Sequence, residues 1–277
     1  MTQVLFPNAR RAALLVALVW SAGCGGKTDP VTAPTELEDL APYLFQHQDD
    51  AALLSLGLTS LSKWADARAT VDDGYILPSL PEDAIEDITP PPGTSLSDTM
   101  GGLADAPSTA TLQQHIDFIL LPDQTVVDPD DYSTFDRTFI EGGDCFGDGS
   151  CDRLVTGNDM VKTAAFNVTI PYFYFKDYQR TTYTDVDGVE RPAVVSRGWI
   201  EEEGWGDDHK NGVRQSYTLD VFQEAADGKV HRTQALWTEM VLIIDDVASQ
   251  SFLEDQLILG LHDVFDDTDN AIVEQGL

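Results

Sequence analysis

Apolar residues along this 277-residue chain recur with a helical period towards both ends and with a strand period between them. Thr35-Glu-Leu-Glu38 has the form of a capping box, so a short helix is predicted there until Pro42 interrupts it. After Asp49-Asp50 a longer helix is predicted. Leu54, Leu58, Leu61 and Ala65 fall at i, i+4, i+7 and i+11, which makes one buried stripe. Residues 71–111 are rich in Pro, Asp, Gly and Thr and include Pro90-Pro91-Pro92, so an irregular excursion is expected. Leu112, His115, Ile116 and Ile119 then allow one or two helical turns, with His115 read as a packing residue rather than a ligand.

Residues 122–160 are acidic and turn-rich, and beyond them the period changes to two. Val161–Thr184, Pro192–Glu203, Val213–Glu224 and Lys229–Ile244 read as strands. Asp187-Gly188, Asn211-Gly212 and Asp227-Gly228 between them supply the positive φ of tight hairpins. The third strand alternates, with Val213, Tyr217, Leu219 and Val221 on one face and Arg214, Ser216, Thr218 and Asp220 on the other. The first is apolar on both faces and should be covered on both. Pro171 within it argues for an edge position or a bulge. Ser251-x-x-Glu254 and the stripe Leu253, Leu257, Leu261, Val264 predict a last helix over 249–265, with a frayed polar tail after it. The expected fold class is therefore α+β: N-terminal helices, a four-stranded antiparallel β-meander over 161–246 and a closing C-terminal helix. These form a single domain over 36–277.

The N-terminus carries a different signal. Met1–Arg11 holds two cations and no acid, Ala12–Trp20 is apolar, and the small residues Ser21, Ala22 and Gly23 stand directly before Cys24. Positive flank, short apolar core and small-residue cleavage site are the parts of a secretory signal peptide over 1–23. The apolar run is about half of the ~20 residues needed to span a bilayer. A cysteine at the cleavage point resembles the bacterial lipoprotein family. The resemblance implies acyl chains on Cys24, a lipidated tether over 24–35, and a protein held to a membrane of the cell envelope. Gly25 stands where an aspartate would favour inner-membrane retention, so the outer membrane is favoured.

Charge narrows the partners. The formal charge is −32, and loss of residues 1–23 removes two cations and no acid, leaving −34. Such a surface repels phosphate backbones, which excludes nucleic acid and leaves cations or basic proteins as partners. With Cys24 set aside for lipid, Cys145 and Cys151 remain as an even pair, expected to form a disulfide in an oxidising envelope. Asp144, Asp148 and Asp152 around them are spaced four apart on a glycine-rich loop and make a candidate calcium site. Asp207 and Asp208 join it if the loops meet at one end of the meander. No other cofactor is implied, and no catalytic residue is assigned.

Hydrolase motifs such as Gly-x-Ser-x-Gly or His-Glu-x-x-His are absent from the sequence. The functional expectation is a lipid-anchored, non-catalytic binding or structural module. One alternative is a carrier holding an apolar ligand between sheet and helix. Another is an envelope-polymer hydrolase using paired carboxylates, with Trp199, Trp205 and Trp237 lining a sugar groove.

Overall fold

The fold comes from a computed structural model that describes residues 32–67, 74–127, 132–164, 168–242 and 249–277. Cys24, the signal segment and most of the tether lie outside the described residues. In chain order the elements are α1 (Leu37–Gln46), α2 (Ala51–Ala67), β1 (Tyr75–Leu77), β2 (Met100–Thr111), α3 (Leu112–Ile119), β3 (Tyr132–Glu141) and β4 (Arg153–Ala164). They continue with β5 (Val168–Thr184), β6 (Glu190–Trp199), β7 (Gly204–Trp205), β8 (Gly212–Glu224), β9 (Lys229–Val241) and α4 (Gln250–Gln275).

The sheet corrects the expected four-stranded meander. It has nine antiparallel strands in the order β1-β2-β9-β8-β6-β5-β4-β3, with β7 attached to β8. The meander of β5, β6, β8 and β9 forms its centre, and the regions expected to be irregular supply the flanks. Met-Gly-Gly-Leu-Ala-Asp-Ala-Pro has almost no strand propensity, yet β2 forms because β9 pairs with it from Met100↔Thr238 onward. Its glycines are demanded by packing. A Cβ on Gly101 would sit 2.8 Å from Trp237, and one on Gly102 would sit 2.8 Å from Leu257. On the other flank, β3 shifts register at Tyr132/Thr134 and again at Phe139/Glu141. Each bulge flips the parity of the side chains, which erases the alternation that would announce a strand.

One face of the sheet is filled by α1 and α2. Leu40, Leu44, Leu54, Leu58 and Leu61 are buried against Tyr217, Leu219 and Val221 of β8. Phe45 meets Tyr217 and Trp237 edge-on at 6.4 and 6.0 Å. Each leucine so placed contributes on the order of 2 kcal/mol. The predicted α2 stripe is thus the stripe that packs, with Ala65 at its half-buried end. The N-cap of α1 is Glu36, which makes no side-chain capping bond, and Pro42 is buried inside the helix rather than ending it. Pro171 lies beyond the last β5–β6 pair, Phe175↔Trp199, so β5 is laddered there on the β4 side. A missing N–H is tolerated at such a position.

On the other face lies α4, which is longer than predicted. Its N-cap is Ser249, whose hydroxyl accepts from Phe252 N at 3.2 Å, and the helix runs to Gln275. The apolar stripe continues through Ala271 and Ile272, which pack on Ala110 and Phe118. Asp269 in this acidic stretch accepts from Ser108 Oγ and Thr109 N, both at 2.6 Å, fixing the helix to the end of β2. All the buried residues of α4 lie from Leu261 onward. The C-terminal half is the more deeply docked, while Leu257 and Ile258 of the N-terminal half reach the sheet at Gly102 and Leu236.

Candidate ligand cavity

Between α4 and the sheet lies a cavity of about 1050 Å³, just above the ~300–1,000 Å³ common for small-molecule sites. It is partly open to solvent, so water or a ligand can enter it. Phe118, Met160, Leu236, Leu253, Leu257 and Val264 contribute to its apolar lining. The helical stripe predicted for the last helix therefore faces a cavity for much of its length.

The period of two in the strands brings polar groups to the same wall. Ser216, Thr218 and Asp220 of β8, from the polar face read from the sequence, line the cavity rather than the outer surface, and the register shift between Val213 and Gln215 brings Val213 to that wall in place of Arg214. Lys176 Nζ on β5 lies 2.6 Å from Asp220 Oδ2, and Ser196 Oγ donates to the same oxygen at 3.2 Å. Burial works against the Lys176 ammonium, but Asp220 and the neighbouring tyrosines outweigh it and raise its pKa. The Tyr174 hydroxyl is hydrogen-bonded to Thr218, and burial pushes its pKa up. Arg137 on β3 donates from Nε to Asn158 Oδ1 at 2.8 Å and from Nη1 to the Ile119 carbonyl.

One cluster beside the cavity superficially suggests nucleophilic catalysis. His115 Nε2 lies 2.8 Å from Ser108 Oγ, and that hydroxyl is also bonded to Asp269. Counting hydrogens rules out a catalytic pair. The single Ser108 proton goes to the Asp269 carboxylate, so the Nε2 proton must be on His115, which donates rather than accepts. Burial, with the Arg232 charge added, lowers the His115 pKa to about 3, so the ring is neutral. Burial works against ionisation of Asp269, but the bonds from Ser108 and Thr109 outweigh it and hold its pKa below the ordinary value. This is a structural knot joining β2, α3 and α4.

The other candidate residues lie elsewhere. Cys145 and Cys151 are joined in a disulfide. Asp144, Asp148 and Asp152 occupy that loop between β3 and β4, and Asp207 and Asp208 occupy the loop between β7 and β8. The structure does not bring the two groups together. Arg153 opens β4 opposite Gln179, towards the β5–β6 hairpin, whereas the 200–211 connection leaves β6 at Trp199 opposite Phe175. The unforeseen strand β4 reverses the chain once more and places the loops at opposite ends of the sheet. Asp148 Oδ1 accepts from Ser150 N at 2.9 Å and Ser150 Oγ at 2.6 Å. Asp208 accepts from Lys210 N, Asn211 N and Asn211 Nδ2. Both carboxylates serve local turns, and among the described residues no group of three or more His, Cys, Asp or Glu is arranged to hold a metal. Trp237 is fully buried and donates to the Pro78 carbonyl at 3.0 Å. Trp199 stacks on Phe175 at 5.6 Å, and Trp205 donates to Glu203 at 2.8 Å. The three do not line the cavity. Among the described residues, no helix is long and apolar enough to cross a membrane.

Known proteins add little to this picture. No family model matches the chain, and no curated relative matches it. Among solved structures, TTHA0849 from Thermus thermophilus is similar with a TM-score of 0.40 and 11% identity, over 63% of this chain and 98% of that one. A conserved protein from Geobacillus kaustophilus gives 0.36 and 12%, over 63% and 95%. Ara h 8.0201 gives 0.31 and 9%, over 64% and 99%. At such scores none of them lends a ligand or a role to this chain.

Proposed function

We propose that this protein is a non-catalytic carrier that takes an apolar organic molecule into the space between sheet and α4. The supporting observation is the cavity of about 1050 Å³, walled by leucines of one helix and by the inner faces of β3, β4, β5, β8 and β9. The leader supports a place for it: with acyl chains on Cys24 it is a lipid-anchored protein of the cell envelope, in the outer membrane, holding its ligand beside a bilayer.

The carrier reading is tested with a neutral apolar fluorophore, N-phenyl-1-naphthylamine, titrated into the purified chain. Saturable enhancement at one probe per chain is expected, and no enhancement would remove the reading. Anchoring is tested separately by incorporation of labelled palmitate, which Cys24→Ser should abolish.

A further inference from the structure

Four cations line the cavity, Arg137, Lys162, Lys176 and Arg232, in a chain that has 16 Lys and Arg against 48 Asp and Glu, and Lys162 lies 5.2 Å from the centroid of the Tyr132 ring. Arg137 and Lys176 are accounted for by the bonds described above. Arg232 on β9 is not. It is 5% exposed, lines the cavity, and its Nη1 is fully buried with no hydrogen-bond partner. Its guanidinium lies against the rings of Phe222 and Phe265, at 5.1 and 4.7 Å to the centroids, which hold the planar group in place. The two carboxylates whose charge reaches it are engaged by other groups. Asp220 is paired with Lys176 and Ser196, and Asp269 is bonded to Ser108 and Thr109. Burial accordingly lowers the Arg232 pKa, the sign of a desolvation that its surroundings do not repay.

A buried guanidinium with an unused N–H costs stability unless something answers it. Around this point Asp220 and Asp269 are both bonded to other groups, so neither carboxylate answers Arg232 directly. Two positions along the same face of β9, Gln234 also lines the cavity, and its Oε1 is buried without a partner. The NH₂ of the same amide is free to donate, a second donor beside Arg232. A planar monoanion meeting a guanidinium fork and an amide is the arrangement that suits a carboxylate.

We propose that the cavity binds an amphipathic carboxylic acid, its carboxylate on Arg232 and Gln234 and its apolar body along the leucine stripe of α4. This rests on the carrier reading and adds the chemical class of the ligand. The surface charge of the chain would not attract such an acid, so delivery from an adjacent membrane suits it better than capture from bulk water.

The test uses the full chain with Cys24→Ser, so that no acyl chain of its own competes. Displacement of N-phenyl-1-naphthylamine is followed at pH 8 with dodecanoate, methyl dodecanoate and dodecyl phosphate. Dodecanoate should bind about tenfold or more tightly than its ester. Arg232→Gln should remove that preference while leaving the ester within about threefold, and Arg232→Lys should keep part of it. Equal binding of acid and ester by the Cys24→Ser chain, or an unchanged preference in Arg232→Gln, overturns the proposal. Tighter binding of dodecyl phosphate than of dodecanoate overturns the carboxylate assignment. If Arg232→Gln fails to fold, the acid-to-ester ratio of the chain with Arg232 intact decides. Failure of the fluorophore itself to bind is a different result, because it removes the carrier reading from beneath the proposal.

Discussion

Gly260 offers the most direct way to separate the stability of α4 from the use of its inner face. It lies in the middle of the helix, one turn from Leu257 and Val264 on the cavity-facing stripe, and a Cβ added there would meet nothing within 4 Å. Glycine inside a helix is disfavoured relative to alanine by about 0.8–1.0 kcal/mol. The open space means that no clash offsets this, so Gly260→Ala should stabilise the fold by about 1 kcal/mol. For a domain of this size that is a rise of about 2–4 °C in melting temperature. Gly260→Trp starts from the same relief but projects an indole into the cavity. It should fold with a melting temperature no lower than that of the natural chain and bind N-phenyl-1-naphthylamine about tenfold less well. Differential scanning calorimetry and the fluorophore titration read the two effects independently. A drop in stability for Gly260→Ala would mean that the space is not open. Unimpaired binding by a well-folded Gly260→Trp would mean that the ligand lies elsewhere.

Other interactions give sharper numbers for stability. Asp220→Asn leaves the Lys176 ammonium buried with its charge unanswered and should cost about 3–5 kcal/mol by urea unfolding; a loss under ~1 kcal/mol would show the pair to be well solvated. Replacing both Cys145 and Cys151 by serine opens a loop closed across a separation of 6 residues. This should cost on the order of 2 kcal/mol while leaving fluorophore affinity unchanged, since the cysteines do not line the cavity. His115, held neutral with a pKa of about 3 against 6.5 when unfolded, takes up its proton more readily in the unfolded chain. Its contribution is therefore complete above pH 6.5 and is lost as the pH falls towards 3, at up to ~1.4 kcal/mol per unit. His115→Gln should flatten that limb, whereas the Asp269 contribution falls away only below the ordinary carboxylate range.

The parts of the fold legible in the sequence were those whose burial follows one local period. The leucines of α2 and the strands β5, β6, β8 and β9 present such a signal, although the strand read as Val161–Thr184 is divided between the end of β4 and β5. The unread parts have physical causes. β2 owes its form to β9 and β1 rather than to its glycines and alanines. The alternation of β3 is broken by two bulges, and β4 carries Gly157, Asn158 and Asp159 in mid-strand. The unread β4 had a second consequence, because one more strand reverses the direction of everything before it. That single reversal separates Asp148 from Asp208, residues that a shorter meander would have placed at one end of the sheet.

Arg232 shows why the site was harder to read than the fold. By sequence it is one cation in Lys229-Val-His-Arg-Thr-Gln234, a stretch whose polar residues suggest a solvated face. The binary rule that polar means outward holds only when the second face of a sheet meets water. Here α4 closes over that face without filling it, so Lys176, Asp220, Arg232 and Gln234 are withdrawn from bulk solvent while still having room beside them. A core would have replaced them with apolar groups, since a buried ion pair gives little net stability over well-packed hydrophobic residues of similar volume. A solvated face would have had no need of the leucine stripe opposite. Polar strand positions facing an apolar helical stripe across a space of about 1050 Å³ meet the needs of neither a packed core nor an outer surface. They meet those of a molecule with one charged end and one apolar end. Of the described charged groups on that wall, Arg232 is the one with a fully buried donor atom left without a partner.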